Sequence, residues 1–112
     1  MTENLTWHKI FNSLEEAEKN LRLNKSMLIE VAGKEICFSR VQQGFFAVDD
    51  ECPHLGDSLS RGTCNYLGEV ICPWHSYRFS LQTGEETTGH GYQLKKYPLK
   101  VEADGIFVGL PA

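Results

Sequence analysis

The sequence predicts an antiparallel all-β fold, a sandwich or barrel, with one short helix. Three observations point there. Short runs rich in β-branched and aromatic residues recur along most of the chain, separated by turns built on glycine. A helix start signal occurs at residue 13. Two cysteine-bearing stretches, 50–61 and 72–77, match neither the helical nor the strand period.

Ser13-Leu14-Glu15-Glu16 has the capping-box form, a hydroxyl followed three residues later by a carboxylate. Leu14, Ala17 and Leu21 recur at helical spacing, so an amphipathic helix is expected at about 13–22. Ser26–Val31 and Glu35–Val41 flank Ala32-Gly33-Lys34 and read as a hairpin. Gly44–Val48 follows Gln42-Gln43 as a further strand, and Val70-Ile71 runs apolar into Cys72. Tyr77–Leu81 alternates by side-chain type before a turn at Thr83-Gly84. Tyr97–Val101 and Ile106–Gly109 flank Ala103-Asp104-Gly105, a strong hairpin signal. No repeat or interdomain linker interrupts this pattern, so residues 1–112 are expected to form a single domain.

Bulk properties narrow the function. A hydrophobic fraction of 41% supports a folded core, and a net charge of −4 with a pI near 5.5 argues against nucleic acid and anionic membranes. The N-terminal residues Met1–Lys9 lack a basic segment followed by an apolar run, and no stretch approaches the roughly 20 residues a membrane span needs. A soluble cytoplasmic protein is expected. In a reducing compartment Cys37, Cys52, Cys64 and Cys72 read as metal ligands or free thiols before disulfides.

The chemistry sits in Cys52-Pro53-His54-Leu55-Gly56 and Cys72-Pro73-Trp74-His75-Ser76-Tyr77. Each stretch offers one thiolate and one imidazole, and 17 residues separate His54 from Cys72. Such loops can hold two irons unequally, both thiolates on one and both imidazoles on the other. Two ferric ions, two sulfides and two thiolates sum formally to zero, whereas four thiolates give −2, so reduction becomes easier. Potentials move from about −400 mV to between about −150 and +300 mV. The same four residues could instead bind a structural zinc, although alternating Cys/His loops do not match the usual Cys-Cys and His-His pairing of zinc fingers. An all-cysteine plant-type cluster would need a Cys-x4-Cys-x2-Cys run, which the sequence lacks.

The pattern Cys-x-His-x17-Cys-x2-His resembles the Rieske iron–sulfur family. Cys52-Pro53-His54-x-Gly56-x-x-Leu59-x-x-Gly62 and Cys72-Pro73-Trp74-His75-x-Tyr77-Arg78-Phe79 resemble the Rieske ferredoxins that serve ring-hydroxylating dioxygenases, as does the hairpin 97–108. The resemblance implies three small antiparallel sheets with cluster-binding loops at about 50–62 and 72–79. It implies one [2Fe–2S] cluster per chain held by Cys52, His54, Cys72 and His75, with both histidines at the solvent edge.

The departures matter. In the respiratory-complex branch each loop carries an extra Cys, and the two form a disulfide; those positions here are Asp57 and Trp74. That branch also donates hydrogen bonds to cluster and ligand sulfur from a Ser and a Tyr, where this chain has Tyr77 and Phe79. Fewer donors imply a midpoint at the low end of the range, near about −150 mV. Ser76 stands where a Gly is usual, which strains the loop if that residue needs a positive φ.

Other chemistry-bearing residues have plainer readings. Cys37 reads as a core residue and Cys64 as an unligated thiol. His90 reads as a turn residue in a segment that could shield the cluster tip, and Asp49-Asp50-Glu51 as a solvated turn. Trp74 reads equally as packing over the cluster or as partner contact. The expected role is a soluble electron carrier without catalytic residues, taking electrons from a flavin reductase and passing them to an oxygenase, and working as a monomer. The alternative is a small redox subunit of a larger enzyme such as a nitrite reductase. A catalytic oxygenase subunit would need a second iron on two His and a carboxylate, and only His8 and His90 remain.

Overall fold

A computed structural model describes residues 4–54 and 56–112; Leu55 of the first cysteine loop and Met1–Glu3 of the N-terminal reading lie outside the described residues. Strands β1 (Leu5–Phe11), β2 (Lys25–Val31), β3 (Lys34–Val41) and β4 (Gly44–Asp49) form the first half, with helix α1 (Leu14–Asn20) after β1. The second half holds β5 (Thr63–Cys64), β6 (Glu69–Ile71), β7 (Arg78–Ser80), β8 (Lys96–Tyr97), β9 (Leu99–Glu102) and β10 (Gly105–Pro111). They assemble into three antiparallel sheets, ordered β1-β10-β9, β2-β3-β4-β8 and β5-β6-β7. The expected all-β class and three-sheet architecture hold.

Helix α1 starts where the capping signal put it. The Ser13 hydroxyl accepts from the Glu16 amide at 3.0 Å, and the Glu16 carboxylate reaches back to the Asn12 amide at 3.1 Å. The helix is shorter than expected because Leu21 is already extended, and Leu14 faces solvent while Ala17 and Leu21 are buried. Those two residues pack with Phe11, Phe38 and Ile106.

The β2–β3 hairpin is held by a two-residue turn with Ala32 at φ 50° and Gly33 at φ 80°. A left-handed alanine costs about 1 kcal/mol, which asparagine largely avoids. Ala32→Asn is expected to raise stability by about 0.5–1 kcal/mol, read as a higher urea midpoint at unchanged slope.

The strand expected at 97–101 is two strands in two sheets. Tyr97 pairs with Ala47 in the four-stranded sheet, Pro98 interrupts the ladder, and Leu99–Glu102 turns onto β10. Strand β1 and the two-residue β5 were not anticipated. A register shift between Lys9 and Phe11 breaks the alternation that would have marked β1.

A separate core lies beneath the cysteine loops. Cys37, Val41, Val48, Leu59, Val70, Phe79, Leu81 and Leu94 surround Cys52 and Cys72. The three-stranded sheet β5-β6-β7 forms one wall of it, so the second loop leaves β6 and returns as β7.

Candidate metal centre

Each cysteine loop closes on itself in the same way. The Cys52 amide donates to the Asp57 carbonyl at 2.8 Å, and the Cys72 amide donates to the Tyr77 carbonyl, also at 2.8 Å. Both bonds span five residues, so each cysteine is pulled inward at the root of a loop whose next residue is proline.

The first loop has a second brace. Asp50 is only 5% exposed; its carboxylate accepts from the Ser58 hydroxyl at 2.5 Å and the Ser60 amide at 2.8 Å. Asp49 accepts from the Tyr97 hydroxyl at 2.5 Å. The solvated turn expected at 49–51 is therefore corrected: these carboxylates are structural, because a buried charge must be paired or hydrogen-bonded. Glu51 alone of the three is exposed.

Three of the four expected ligands converge. Ligand atoms of Cys52, His54 and Cys72 lie within 4.8 Å of one another, and Cys52 Sγ stands 2.6 Å from His54 Nδ1. His75 lies beside this group, its ring centroid 5.9 Å from that of His54. His75 is exposed, as expected, but His54 is half-buried and its Nε2 is buried without a hydrogen-bond partner. The expectation of two solvent-edge histidines is thus corrected for His54, because the Tyr77 ring covers it at 4.1 Å and Tyr92 lies 5.9 Å away.

His75 and Ser76 adopt φ 66° and 57°. The strain foreseen at Ser76 is present, and His75 shares it. Trp74 is 52% exposed and inclined toward His75 at 5.2 Å, so it lies at the surface and not over the core. Asp57, whose carboxyl the Arg61 guanidinium holds below the usual range, shares an open surface groove with Trp74.

Burial pushes the Cys72 thiol up to about 12, against a hydrogen bond from the Trp74 backbone, and the neighbouring Cys52 adds to the rise. Two buried thiols meet there beside an imidazole nitrogen that is buried without a hydrogen-bond partner, an arrangement that packing alone does not call for. They form a donor set suited to soft metal, and binding displaces the thiol protons.

The other cysteines stand apart. Burial raises the Cys37 thiol to about 12 and also raises Cys64. Cys37 contacts Ser39 at 3.4 Å, Cys64 contacts Ser26 at 3.3 Å, and the two serines meet at 2.7 Å. Both are buried, and neither belongs to the convergent group of Cys52, His54 and Cys72. His90 is more than a turn residue. Its ring stacks on Tyr77 and its Nδ1 bonds Glu86, a pairing that nothing in the sequence announced.

A family model described as the Rieske [2Fe-2S] domain matches residues 12–98. The ferredoxin component of the alkene monooxygenase system of Xanthobacter autotrophicus is 30% identical over 82 residues, covering 73% of this chain and 67% of that protein. The 3-phenylpropionate/cinnamic acid dioxygenase ferredoxin subunit of Shigella flexneri is 37% identical over 68 residues, covering 60% of this chain and 64% of that one. The chain therefore spans about two thirds of the length of these relatives. A crystal structure from Mycobacterium tuberculosis, provisionally named an NADH-dependent nitrite reductase small subunit, superposes with a TM-score of 0.82 at 20% identity. It covers 98% of this chain and 99% of its own, and shows the shared fold.

Proposed function

The chain belongs to the Rieske [2Fe-2S] family, and on that premise we propose that it is a one-electron carrier in which Cys52, His54, Cys72 and His75 hold one cluster. The observation that carries this is the convergence of two buried thiols with His54, and exposed His75 beside them. When bound, the cluster supplies reversible one-electron chemistry at a potential raised by its two imidazoles.

The residues of the chain do the rest. Val70, Phe79 and Leu81 keep water from the thiolates, with Phe79 and Leu81 both fully buried. Exposed His75 and Trp74 offer a short path to whichever protein binds the tip. Relatives named as ferredoxin components support a carrier role without substrate chemistry on this chain.

The reading extends to partners. A flavin reductase is the donor and an oxygenase the acceptor, supported by relatives named for monooxygenase and dioxygenase systems. The carrier is one domain over residues 1–112, monomeric and cytoplasmic. No helix among the described residues is long and apolar enough to cross a membrane.

Ultraviolet–visible and EPR spectra of anaerobically purified protein test the proposal. A broad visible absorption, and a dithionite-reduced signal with the low average g value of a histidine-ligated cluster, are expected. Colourless protein with stoichiometric zinc sinks the electron-carrier reading. The midpoint is expected near about −150 mV, since Phe79 has no donor and Tyr77 lies flat against His54. A value in the upper half of the family range overturns that expectation. Stable copurification with a large flavoprotein would replace the free carrier by a bound small subunit.

A further inference from the structure

We propose that Glu86 and His90 are positioning residues that hold the imidazole of His54 through the ring of Tyr77. The proposal rests on the ligand assignment above and deepens it. Three rings lie in sequence: His90 is stacked on Tyr77 at 3.9 Å and 6°, and Tyr77 is stacked on His54 at 4.1 Å and 24°. Only the inner end of this stack touches the centre, where His54 Nδ1 faces Cys52 Sγ at 2.6 Å.

The outer end is anchored with unusual completeness. The Glu86 side chain has no exposed surface, although it sits in an irregular segment between β7 and β8. One carboxylate oxygen accepts from the His90 amide at 3.1 Å and the Tyr92 amide at 3.2 Å. The other accepts from the Thr88 hydroxyl and from His90 Nδ1. Burial pushes this carboxyl up, but the Thr88, His90 and Tyr92 donors outweigh it and hold the pKa down at about 2. Glu86 is therefore an acceptor at working pH and fixes both the tautomer and the plane of the His90 ring.

A loop pinned so fully serves what it presents, and what it presents is the flat His90 ring. Its direct stack falls on His54, while His75 stands farther from Tyr77, at 6.4 Å and tilted by 43°. His75 is exposed and carries a strained backbone, whereas His54 is clamped between the thiol and Tyr77. The centre thus has one fixed and one yielding histidine, and the fixed one is held from outside the two cysteine loops. Partners that orient a metal-bound histidine tune affinity strongly.

The test compares His90→Ala with His90→Phe, which keeps a stacking ring without the nitrogen. In loaded protein, chelator-driven loss of the visible chromophore is expected to be about tenfold faster in His90→Ala and within about twofold of native in His90→Phe. In metal-free protein, the His54 imidazole proton resonances shift in His90→Ala and return in His90→Phe. The urea midpoint of the metal-free protein falls by the same small amount in both, because each removes the Nδ1 donor from Glu86. Native release rates with an unmoved His54 signal in His90→Ala overturn the proposal, as does faster release shared equally by His90→Phe or accompanied by a larger urea loss in His90→Ala than in His90→Phe. If the native chain takes up no cluster, the electron-carrier reading fails. The metal-free resonances then decide the stack alone, an unmoved His54 overturning it and a shift restored by His90→Phe sustaining it.

Discussion

Cys72→Ala is expected to abolish the [2Fe–2S] chromophore completely while leaving a folded protein. Cys72 is fully buried at the root of the second loop, and its amide bond to the Tyr77 carbonyl survives truncation of the side chain. Removing one sulfur from the core costs the metal-free fold about 1 kcal/mol. The expected result is therefore zero visible absorption and no bound iron, with a modest fall in the urea midpoint. Cys37→Ala and Cys64→Ala provide the contrast. These thiols are also buried but engage Ser39 and Ser26, so both variants are expected to keep full iron content. Iron retained in Cys72→Ala, or lost in Cys37→Ala, would reassign the ligands.

His75→Ala is expected to behave less absolutely than Cys72→Ala. His75 is exposed and outside the close grouping, so its loss leaves Cys52, His54 and Cys72 in place. A bleached, rapidly lost chromophore is expected, seen as sub-stoichiometric iron after purification.

The sequence was most informative where chemistry and periodicity are local. The hairpin at 26–41 was legible because two short runs rich in apolar and β-branched residues flank a Gly-bearing turn. The candidate ligands were legible because a cluster demands Cys and His within a few residues of each other, and three of the four converge in the structure. Helix α1 announced itself through Ser13 and Glu16.

What escaped was set by burial and by contacts across irregular backbone. Asp49-Asp50-Glu51 carries three acidic residues, a composition that normally lies in water; only the fold shows that Asp50 faces Ser58 and Ser60. Glu86, His90 and Tyr77 belong to segments without a period, so no spacing rule connects them. Pro98 was visible as a residue, but the division of its strand between two sheets depends on where β10 lies.

Gly62→Ala is expected to be severely damaging for the addition of a single methyl group. Gly62 has ordinary extended dihedrals, φ −87° and ψ −164°, so its requirement is one of space. An added Cβ would stand 2.0 Å from the Ile71 carbonyl oxygen and 3.2 Å from Pro73 Cδ. Both neighbours flank Cys72, and one is backbone in strand β6, so neither can rotate away. The first loop must therefore separate from the second by more than an ångström, opening the β5–β6 pairing of Thr63 with Ile71. Overpacking of a rigid contact costs about 3 kcal/mol or more. Gly33→Ala provides the scale: its Cβ meets nothing within 4 Å, and only the positive φ opposes it, at about 1 kcal/mol. The ratio is testable by urea denaturation of metal-free protein, and iron retention adds a second reading. Gly33→Ala should bind iron normally, whereas Gly62→Ala should load poorly because it shifts the two cysteines relative to each other. Equal costs for the two variants would mean that the loops yield freely at their junction. The centre would then owe its geometry to the metal and not to the packing beneath it.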